Sequence, residues 1–267
     1  MSKSFISALR NLIPLGLGVF LIYYSLSTIT ADQRTLIWSY IEQAHPIPIL
    51  ISIVFGALSH LSRAYRWKFL LNHLGYHPSF INLTGAVLVN YLSNLGIPRS
   101  GDVLRVTVIS AYEKIPFSKG LGTVISERVI DLVMMMLLVF SAMYIGGDWV
   151  QEQLGGSTVL LVSFGIFIGL VVAIMAFPFL INTKRFPYLA RIKDFFLNIV
   201  QGIVSIRSIP NAFAFWAHTV FIWLMYVLMF WAIQFSLPEA PLLSPKVVLI
   251  GFVAGGLSIV VTNGGIG

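Results

Sequence analysis

The chain has 267 residues, of which 57% are hydrophobic and only 10% are charged, and it contains no cysteine. Soluble domains carry about 25% charged residues, so this composition indicates a polytopic membrane protein. The lack of cysteine excludes disulfides, thiolate metal sites and cysteine nucleophiles. The net charge of +7 does not indicate nucleic-acid binding, because the basic residues flank apolar segments and form no single soluble patch.

Apolar segments of spanning or nearly spanning length recur along the chain. They are predicted at Leu12–Thr30, Ile47–Trp67, Phe80–Pro98, Val103–Ile115, Phe117–Gly147, Thr158–Ile181, Ala212–Phe235 and Val247–Thr262. The first segment is long and has no small-x-small cleavage site, so it is interpreted as a retained helix and not a signal peptide. The expected fold class is therefore all-α, an integral membrane protein built as a polytopic helical bundle, with a single domain over residues 1–267.

The distribution of basic residues predicts the orientation in the membrane. Basic residues concentrate at the N-terminus, at 63–68 and at 184–193. These places are expected on the cytoplasmic side of the cell membrane, and segments 31–46 and 148–157 outside. Residues 80–116 must then leave the cytoplasmic side and return to it. Because their second arm is short and charged, a re-entrant hairpin with its tip near Gly96–Asp102 is favoured over two full crossings.

The hairpin tip is the first candidate site. Arg99 and Arg105 flank Gly101 and Asp102, where a new helix is expected to begin, with Gly101 as the turn residue and Asp102 as its cap. A helix N-terminus offers free amide groups, and arginine offers planar donors that stay charged, so the tip predicts an anionic headgroup site. The alternative is that both arginines anchor a cytoplasmic loop, with Asp102 as cap or ion-pair partner.

A second candidate site lies in the long helix predicted at Phe117–Gly147. Glu127 and Asp131 are four residues apart and share one helix face, and Arg128 can pair with Asp131. One interpretation is a self-neutralising trio at the inner end of the span. In the other, the carboxylates gate a cavity and pair with a distant cation, which is Arg66, Arg99 or Arg105. A metal site is not expected, because the adjacent arginine disfavours a bound cation.

Three weaker patterns complete the sequence evidence. Residues 189–206 predict an amphipathic helix on the cytoplasmic side. His60 and His218 fall within spans, where interhelical hydrogen bonding is expected and proton coupling is the alternative. Thr262–Ile266 echoes Ser93–Ile97, so Val247–Thr262 is interpreted as a second re-entrant arm of inverted orientation. Since the sequence stops in a glycine-rich turn, we expect further residues to complete that hairpin.

Several motifs resemble a known family. They are Arg63-x-x-Arg66-Trp67-x-x-Leu70-Leu71, Asn94-x-x-x-Pro98-Arg99-x-Gly101-Asp102-x-x-Arg105 and Glu127-Arg128-x-x-Asp131. Their order and spacing resemble the membrane domain of lysylphosphatidylglycerol synthase/flippase proteins. The terminal Asn263–Gly267 is similar to that family's late glycine-rich motif, although Thr262 and Asn263 stand where the family usually has proline. Asp102 stands where the family often has glutamate.

The resemblance implies a flippase-like protein that moves an anionic or aminoacylated phospholipid between leaflets, without cofactor, metal or catalytic residues. Its expected lipid-binding residues are Arg66, Asn94, Arg99, Asp102, Arg105, Glu127, Arg128, Asp131 and Asn263. Arg99 and Arg105 are expected to hold the phosphate, and Asn94 and Asn263 to hydrogen-bond the headgroup.

No enzymatic activity is expected of these 267 residues, because they do not include the soluble aminoacyl-transferase domain of the family. One alternative is an accessory membrane module for a glycosyltransferase or lipid synthase. The other is a membrane-embedded transferase, although the paired aspartate motif of phospholipid-forming transferases is missing. The expected partners are membrane phospholipid and either further copies of the chain or a membrane enzyme.

Overall fold

The architecture of the protein is entirely helical wherever it is described. The structure is a computed structural model that describes residues 27–96, 100–154, 211–237 and 242–261, together with a few single positions. Within these ranges there are seven helical elements and no strand, and the fifth element is interrupted at Gly147, whose φ of 55° and ψ of −140° are not helical. The helices are α1 (Ala31–Glu42), α2 (Pro46–His73), α3 (Phe80–Gly96), α4 (Gly101–Glu113), α5 (Phe117–Leu154), α6 (Ala212–Ile233) and α7 (Pro245–Val261). The expected all-α fold class is confirmed.

Three of the described helical segments are long and apolar enough to cross a bilayer. They are Pro46–His73, Phe117–Gly147 and Ala212–Ser236, the last of which includes the short 3-10 helix that follows α6. A hydrocarbon core of about 30 Å needs about 20 helical residues, and each segment exceeds this length. Pro245–Ser258 is apolar but shorter. The chain is therefore an all-helical membrane protein.

Helix α2 extends six residues beyond the predicted end at Trp67. Leu70 and Leu71 are buried, so the packed face of the helix continues past the basic and aromatic residues that suggested its boundary. The chain leaves the helix after His73, and Gly75 adopts φ +85, a left-handed conformation that favours glycine. The burial of Leu70 and Leu71 thus extends the helix beyond Trp67, and the helix ends shortly before Gly75, which adopts a left-handed conformation.

Helix α1 was not predicted as a separate element. It begins with a capping box: Thr30 Oγ1 accepts a hydrogen bond from the Gln33 amide, and Gln33 Oε1 accepts one from the Thr30 amide. Asp32 in the first turn suits the positive end of the helix dipole. The spacing of threonine and glutamine is a recognisable start signal that could have revealed this helix.

The chain divides into two compact units. The first unit comprises residues 1–63, 84–105 and 220–267, and the second comprises residues 64–83 and 106–219. Each unit has buried apolar side chains of its own. In the first unit they include Ala86, Val87, Ile222 and Met225; in the second they include Trp67, Leu71, Leu83, Ile109 and Phe215. The prediction of a single domain stays a prediction.

Several predicted features lie outside the described residues. They are most of Leu12–Thr30, nearly all of Thr158–Ile181 and of the amphipathic helix 189–206, and the two site residues Arg99 and Asn263. The re-entrant character of α3 and α4, that of Val247–Thr262, and the orientation of the N-terminus stay predictions.

Candidate functional site

Arg66 is the centre of a buried ion cluster in the second unit. Its Nη2 lies 2.9 Å from Asp131 Oδ1 and 3.3 Å from Glu127 Oε1. Its Nε donates to the same Glu127 oxygen at 3.4 Å, and its Nη1 donates to Thr219 Oγ1 at 3.4 Å. The cluster therefore uses all three guanidinium nitrogens and links side chains of α2, α5 and α6.

The charges of this cluster compensate one another. The side chains of Arg66 and Glu127 are 0% and 1% exposed, and that of Asp131 is 11% exposed. Charges buried to this degree require an ionic partner. The formal charge of the two carboxylates is balanced by Arg66 together with Arg128, whose Nη1 lies 3.9 Å from Asp131 Oδ2 at the edge of the cluster. In these contacts two arginines therefore face two carboxylates.

The carboxylates make both kinds of ion pair that were considered, one with the distant Arg66 and one with the adjacent Arg128. Glu127 and Asp131 share one helix face, as their spacing predicts, and they pair with Arg66, one of the three distant cations considered. The pairing of Arg128 with Asp131 is also present but is longer, and the Arg128 side chain is 44% exposed. A role in gating stays a prediction.

The junction between α3 and α4 is closely packed in the first unit. The amide of Gly101, the first residue of α4, donates to Asn94 Oδ1 at 2.9 Å, and Asn94 Nδ2 lies 3.4 Å from Asn90 Oδ1. A Cβ atom on Gly101 would overlap the main-chain and side-chain oxygens of Asn90. The hydroxyl of Ser100 also donates to the Ser93 carbonyl at 3.2 Å. Only glycine fits at this approach of the two helices.

These contacts correct the expected capping of α4. The helix begins at Gly101, so Asp102 lies in its first turn and is not its cap. The side chain of Asn94 caps it instead, reaching from the preceding helix to the first amide. Asp102 still places a negative charge at the positive end of the helix dipole. Asn94 was predicted to hydrogen-bond a lipid headgroup. The sequence did not reveal that its side-chain oxygen accepts a hydrogen bond from the Gly101 amide.

Arg105 lies one turn into α4 and is completely buried. A guanidinium cannot shed its charge at any ordinary pH, so its burial in an apolar helix is costly and requires anionic or polar surroundings. Arg105 and Asn94 belong to the first unit, whereas the Arg66 cluster belongs to the second. The two groups are therefore described separately.

A further polar group in the first unit was not predicted from the sequence. We call it the tyrosine cluster, and it comprises His60, Arg63, Tyr91, Trp223 and Tyr226. The hydroxyl oxygens of Tyr91 and Tyr226 lie 2.9 Å apart, and Arg63 Nη2 donates to Tyr226 at 3.4 Å. These residues come from α2, α3 and α6. The sequence signals were two local i, i+3 spacings, of His60 with Arg63 and of Trp223 with Tyr226. The two hydrogen bonds of Tyr226 join residues more than 130 positions apart, so the sequence does not reveal them.

Glu113 joins the end of α4 to the start of α3 in the second unit. Its Oε1 accepts hydrogen bonds from the Ser79 amide at 2.9 Å and from Asn82 Nδ2 at 2.6 Å. Partial desolvation raises the pKa of the Glu113 carboxyl, but the hydrogen bonds from Asn82 and Ser79 outweigh this effect and leave the pKa below its ordinary value. The residue lies outside the three spanning segments.

Among the described residues, no group of three or more His, Asp or Glu side chains could hold a metal ion. The ion cluster contains two carboxylates, but arginine occupies the position that a cation would need.

Apolar helices of spanning length define an integral membrane protein, and ionisable side chains are buried among the described helices. The chain belongs to the family described as the lysylphosphatidylglycerol synthase TM region, whose family model matches residues 11–267. The match covers nearly the whole chain and confirms the family that the motifs resembled.

Three curated relatives share part of the sequence. Glycosyltransferase AglD of Haloferax volcanii is 32% identical over 125 residues, which are 46% of this chain and 20% of AglD. The UPF0104 membrane protein MJ1595 of Methanocaldococcus jannaschii is 32% identical over 110 residues, 40% of this chain and 30% of the relative. The UPF0104 membrane protein MJ1078 of the same organism is 27% identical over 118 residues, 44% of this chain and 49% of the relative.

The chain thus covers less than half the length of each of these relatives. No solved structure matches it.

Proposed function

We propose that the chain is a lipid-translocating membrane module that moves an anionic or aminoacylated phospholipid between the leaflets of the cell membrane. The observation that carries this proposal is the burial of Arg66, Arg105, Glu127 and Asp131 in apolar helices. Ionisable residues at membrane depth are expensive and generally mark a substrate or ion pathway. Membership in the family of the lysylphosphatidylglycerol synthase TM region supports a phospholipid as the substrate class.

In this proposal, the phosphate binds at the start of α4. Arg105 and Arg99 supply the positive charge, and Asn263 donates a hydrogen bond to the headgroup. The side chain of Asn94 caps the first amide of α4 and so orients the helix start, which is a positioning role. Asp102 limits the net positive charge there and thereby weakens the hold on the phosphate enough for release.

The Arg66 cluster acts as the gate. It is closed without a ligand because Arg66 has two carboxylate partners. A phosphate group accepts hydrogen bonds from the same guanidinium donors as a carboxylate, so a phosphate that replaces Glu127 or Asp131 as partner of Arg66 opens the cluster. Arg128, at the exposed edge of the cluster, pairs with whichever carboxylate is released.

The test is lipid exchange between leaflets in liposomes that contain headgroup-labelled phosphatidylglycerol. We expect the unmodified chain to speed exchange, and Arg105→Gln to lose most of that acceleration. Arg34→Gln is the matched control, because this substitution removes the same charge from a residue that is exposed on α1. Folded wild-type protein that exchanges no tested phospholipid, or an Arg105→Gln variant as active as the Arg34→Gln control, contradicts this mechanism.

A second candidate function is supported by one comparison. The segment shared with glycosyltransferase AglD is only 20% of that protein, so this kind of membrane region also occurs within a larger glycosyltransferase. In that case the chain is an accessory module that binds a membrane enzyme or further copies of itself. It would then retain its cellular role after Arg105→Gln, and co-purification with a glycosyltransferase would be unaffected by the substitution.

A further inference from the structure

We infer that α1 is a membrane-anchoring helix that lies in the headgroup layer of the bilayer, with its apolar side on the acyl chains. Its partner is the lipid surface itself, and the attraction between them is apolar and not electrostatic. This anchoring does not depend on the translocation of lipid, so it goes beyond the proposed function.

The residues of α1 divide between a polar stripe and an apolar side. Four polar residues share one stripe because they recur at spacings of three, four and three: Asp32, Thr35, Ser39 and Glu42. The apolar side carries Leu36, Ile37, Trp38, Tyr40 and Ile41. At about 3.6 residues per turn, Ile37 lies opposite the centre of the polar stripe, and Leu36 and Trp38 lie at the two edges of the apolar side. This is the pattern of a helix that lies along an apolar–aqueous boundary.

Two polar residues of the apolar side are compatible with a headgroup layer. The side-chain oxygen of Gln33 is bonded to the Thr30 amide at 2.9 Å. Arginine lays its aliphatic stem along apolar surface and keeps its charged end among polar groups, which accommodates Arg34. With Arg34 positive and Asp32 and Glu42 negative, the helix has an excess of one negative charge. Anionic lipid therefore does not attract it, and the apolar side chains supply the attraction.

The apolar side of α1 has no protein cover among the described residues. None of the residues of α1 is buried. Four apolar side chains are 43–59% exposed: Leu36, Ile37, Trp38 and Ile41. An exposed group of this kind marks a surface that contacts a partner protein or a membrane.

The connections of α1 favour the membrane. Three residues separate Glu42 from the spanning segment Pro46–His73. Within the first unit, the His45 amide donates to the Ser236 carbonyl at 2.7 Å, and Ser236 is the last residue of the spanning segment Ala212–Ser236. The start of one span and the end of another therefore meet directly beside α1, which places the end of α1 at a membrane boundary.

The side chains at this boundary have the chemistry of a lipid contact. Ile47 and Leu50, near the start of α2, are 57% and 59% exposed, so the lipid-facing surface of that span begins immediately after α1. Tryptophan and tyrosine are enriched at membrane–water interfaces, and α1 contributes one of each in Trp38 and Tyr40. The bilayer that surrounds the spans thus continues onto the apolar side of α1.

The experiment measures which side of α1 faces lipid. Because the chain has no cysteine, single labels can be introduced without background. The variants Ile37→Cys and Ile41→Cys report on the apolar side, and Thr35→Cys and Ser39→Cys on the polar stripe. Each carries a nitroxide, and the purified chain is reconstituted in phosphatidylcholine liposomes. Collisions of the nitroxide with oxygen, which partitions into lipid, are compared with collisions with a water-soluble nickel complex.

Two controls make the comparison quantitative. Leu50→Cys calibrates a lipid-facing position, because Leu50 is exposed on a spanning helix. Thermal unfolding checks that each labelled variant is folded. Leu36→Cys replaces a variant of the apolar side that is not folded, and Asp32→Cys replaces one of the polar stripe.

We expect the ratio of oxygen to nickel collisions to be several-fold higher at positions 37 and 41 than at 35 and 39, with position 37 about 5–10 Å into the headgroup and acyl boundary. The same pattern is expected in liposomes that contain phosphatidylglycerol, and a pattern confined to those liposomes contradicts an apolar attraction. Nickel access at all four positions places α1 in water and overturns the inference. Protection of 37 and 41 from both reagents also overturns it, because protein then covers the helix; spectral broadening that disappears on dilution with unlabelled chain identifies that protein as a second copy. All of these results are independent of whether the chain translocates lipid.

Discussion

Arg66 Nη2 lies 2.9 Å from Asp131 Oδ1, and the same nitrogen lies 3.3 Å from Glu127 Oε1. A single guanidinium thus serves two carboxylates that are one helical turn apart on α5. The whole Arg66 side chain, including its aliphatic part, is buried. The aromatic ring of Phe215, 5.9 Å from Arg66 Cζ, adds a cation–π contact from α6. The stability of this cluster therefore depends on the charges of both the arginine and the two carboxylates.

Replacement of Arg66 by leucine will strongly destabilise the protein. The substitution leaves Glu127 and Asp131 buried without their main cation, and breaking a buried ion pair by removing one partner costs about 3–5 kcal/mol. The free energy of unfolding in mixed micelles measures this loss. A single variant as stable as the wild type would show that the contacts are not maintained in solution.

The triple variant Arg66→Leu/Glu127→Gln/Asp131→Asn is the matched control for that measurement. It removes the cation and both anions together, so no uncompensated charge remains buried. We expect it to recover part of the stability that the single variant loses, because no uncompensated charge stays buried, while the two amides no longer have the hydrogen bonds from Arg66. A triple variant no more stable than Arg66→Leu would mean that packing, not charge, dominates at this position.

Arg128→Gln will have a much smaller effect. The Arg128 side chain is 44% exposed, and its nearest contact with Asp131 is 3.9 Å long. Exposed ion pairs contribute about 0–1 kcal/mol, so the loss of unfolding free energy should not exceed about 1 kcal/mol. The same unfolding assay tests this value. A loss as large as that of Arg66→Leu would mean that Arg128, and not Arg66, carries the charge balance of the cluster.

Gly101→Ala will disrupt the junction of α3 and α4. The added methyl group would collide with the main-chain oxygen of Asn90, which a rotamer change cannot move. We expect a loss of about 1–3 kcal/mol, the range for overpacking. Gly85→Ala is the control, because no atom lies within 4 Å of its added Cβ. The control should keep or slightly gain stability, since alanine is the better helix former by about 1 kcal/mol. Equal behaviour of the two variants would contradict the close approach.

The stability of the protein will depend on pH through Glu113. Hydrogen bonds from Asn82 and Ser79 lower its pKa from an ordinary value of 4.5, so the folded state holds the charged form more firmly than the unfolded state does. The resulting stabilisation is present above pH 4.5 and is lost as the pH falls through the lowered folded-state pKa. Glu113→Gln should therefore be less stable than wild type at neutral pH, and the two should converge in acid. The comparison is a series of thermal unfolding curves, and a gap that widens in acid would refute the expected sign.

The local features of the fold were largely predictable. Apolar run length is a property of consecutive residues, so the three spanning helices were recognised, with Phe117 as the correct first residue of α5. Helix ends were less accurate: α2 continues to His73 because Leu70 and Leu71 find a buried environment. Helix α1 was not predicted although its capping box is local, because the charge distribution of residues 31–46 does not by itself indicate a short exposed helix.

In the candidate sites, too, contacts between residues close in sequence were predictable, and contacts between distant residues were not. That Glu127 and Asp131 share a face follows from the sequence alone, because helical periodicity brings residues four apart together. The sequence also determined that this is a membrane protein of its family, through composition and motif order. Only the tertiary structure decided that Arg66 is their partner, that Asn94 caps α4, and that Tyr91 meets Tyr226. Those contacts join residues from different helices, and no local periodicity specifies which faces of two helices pack together.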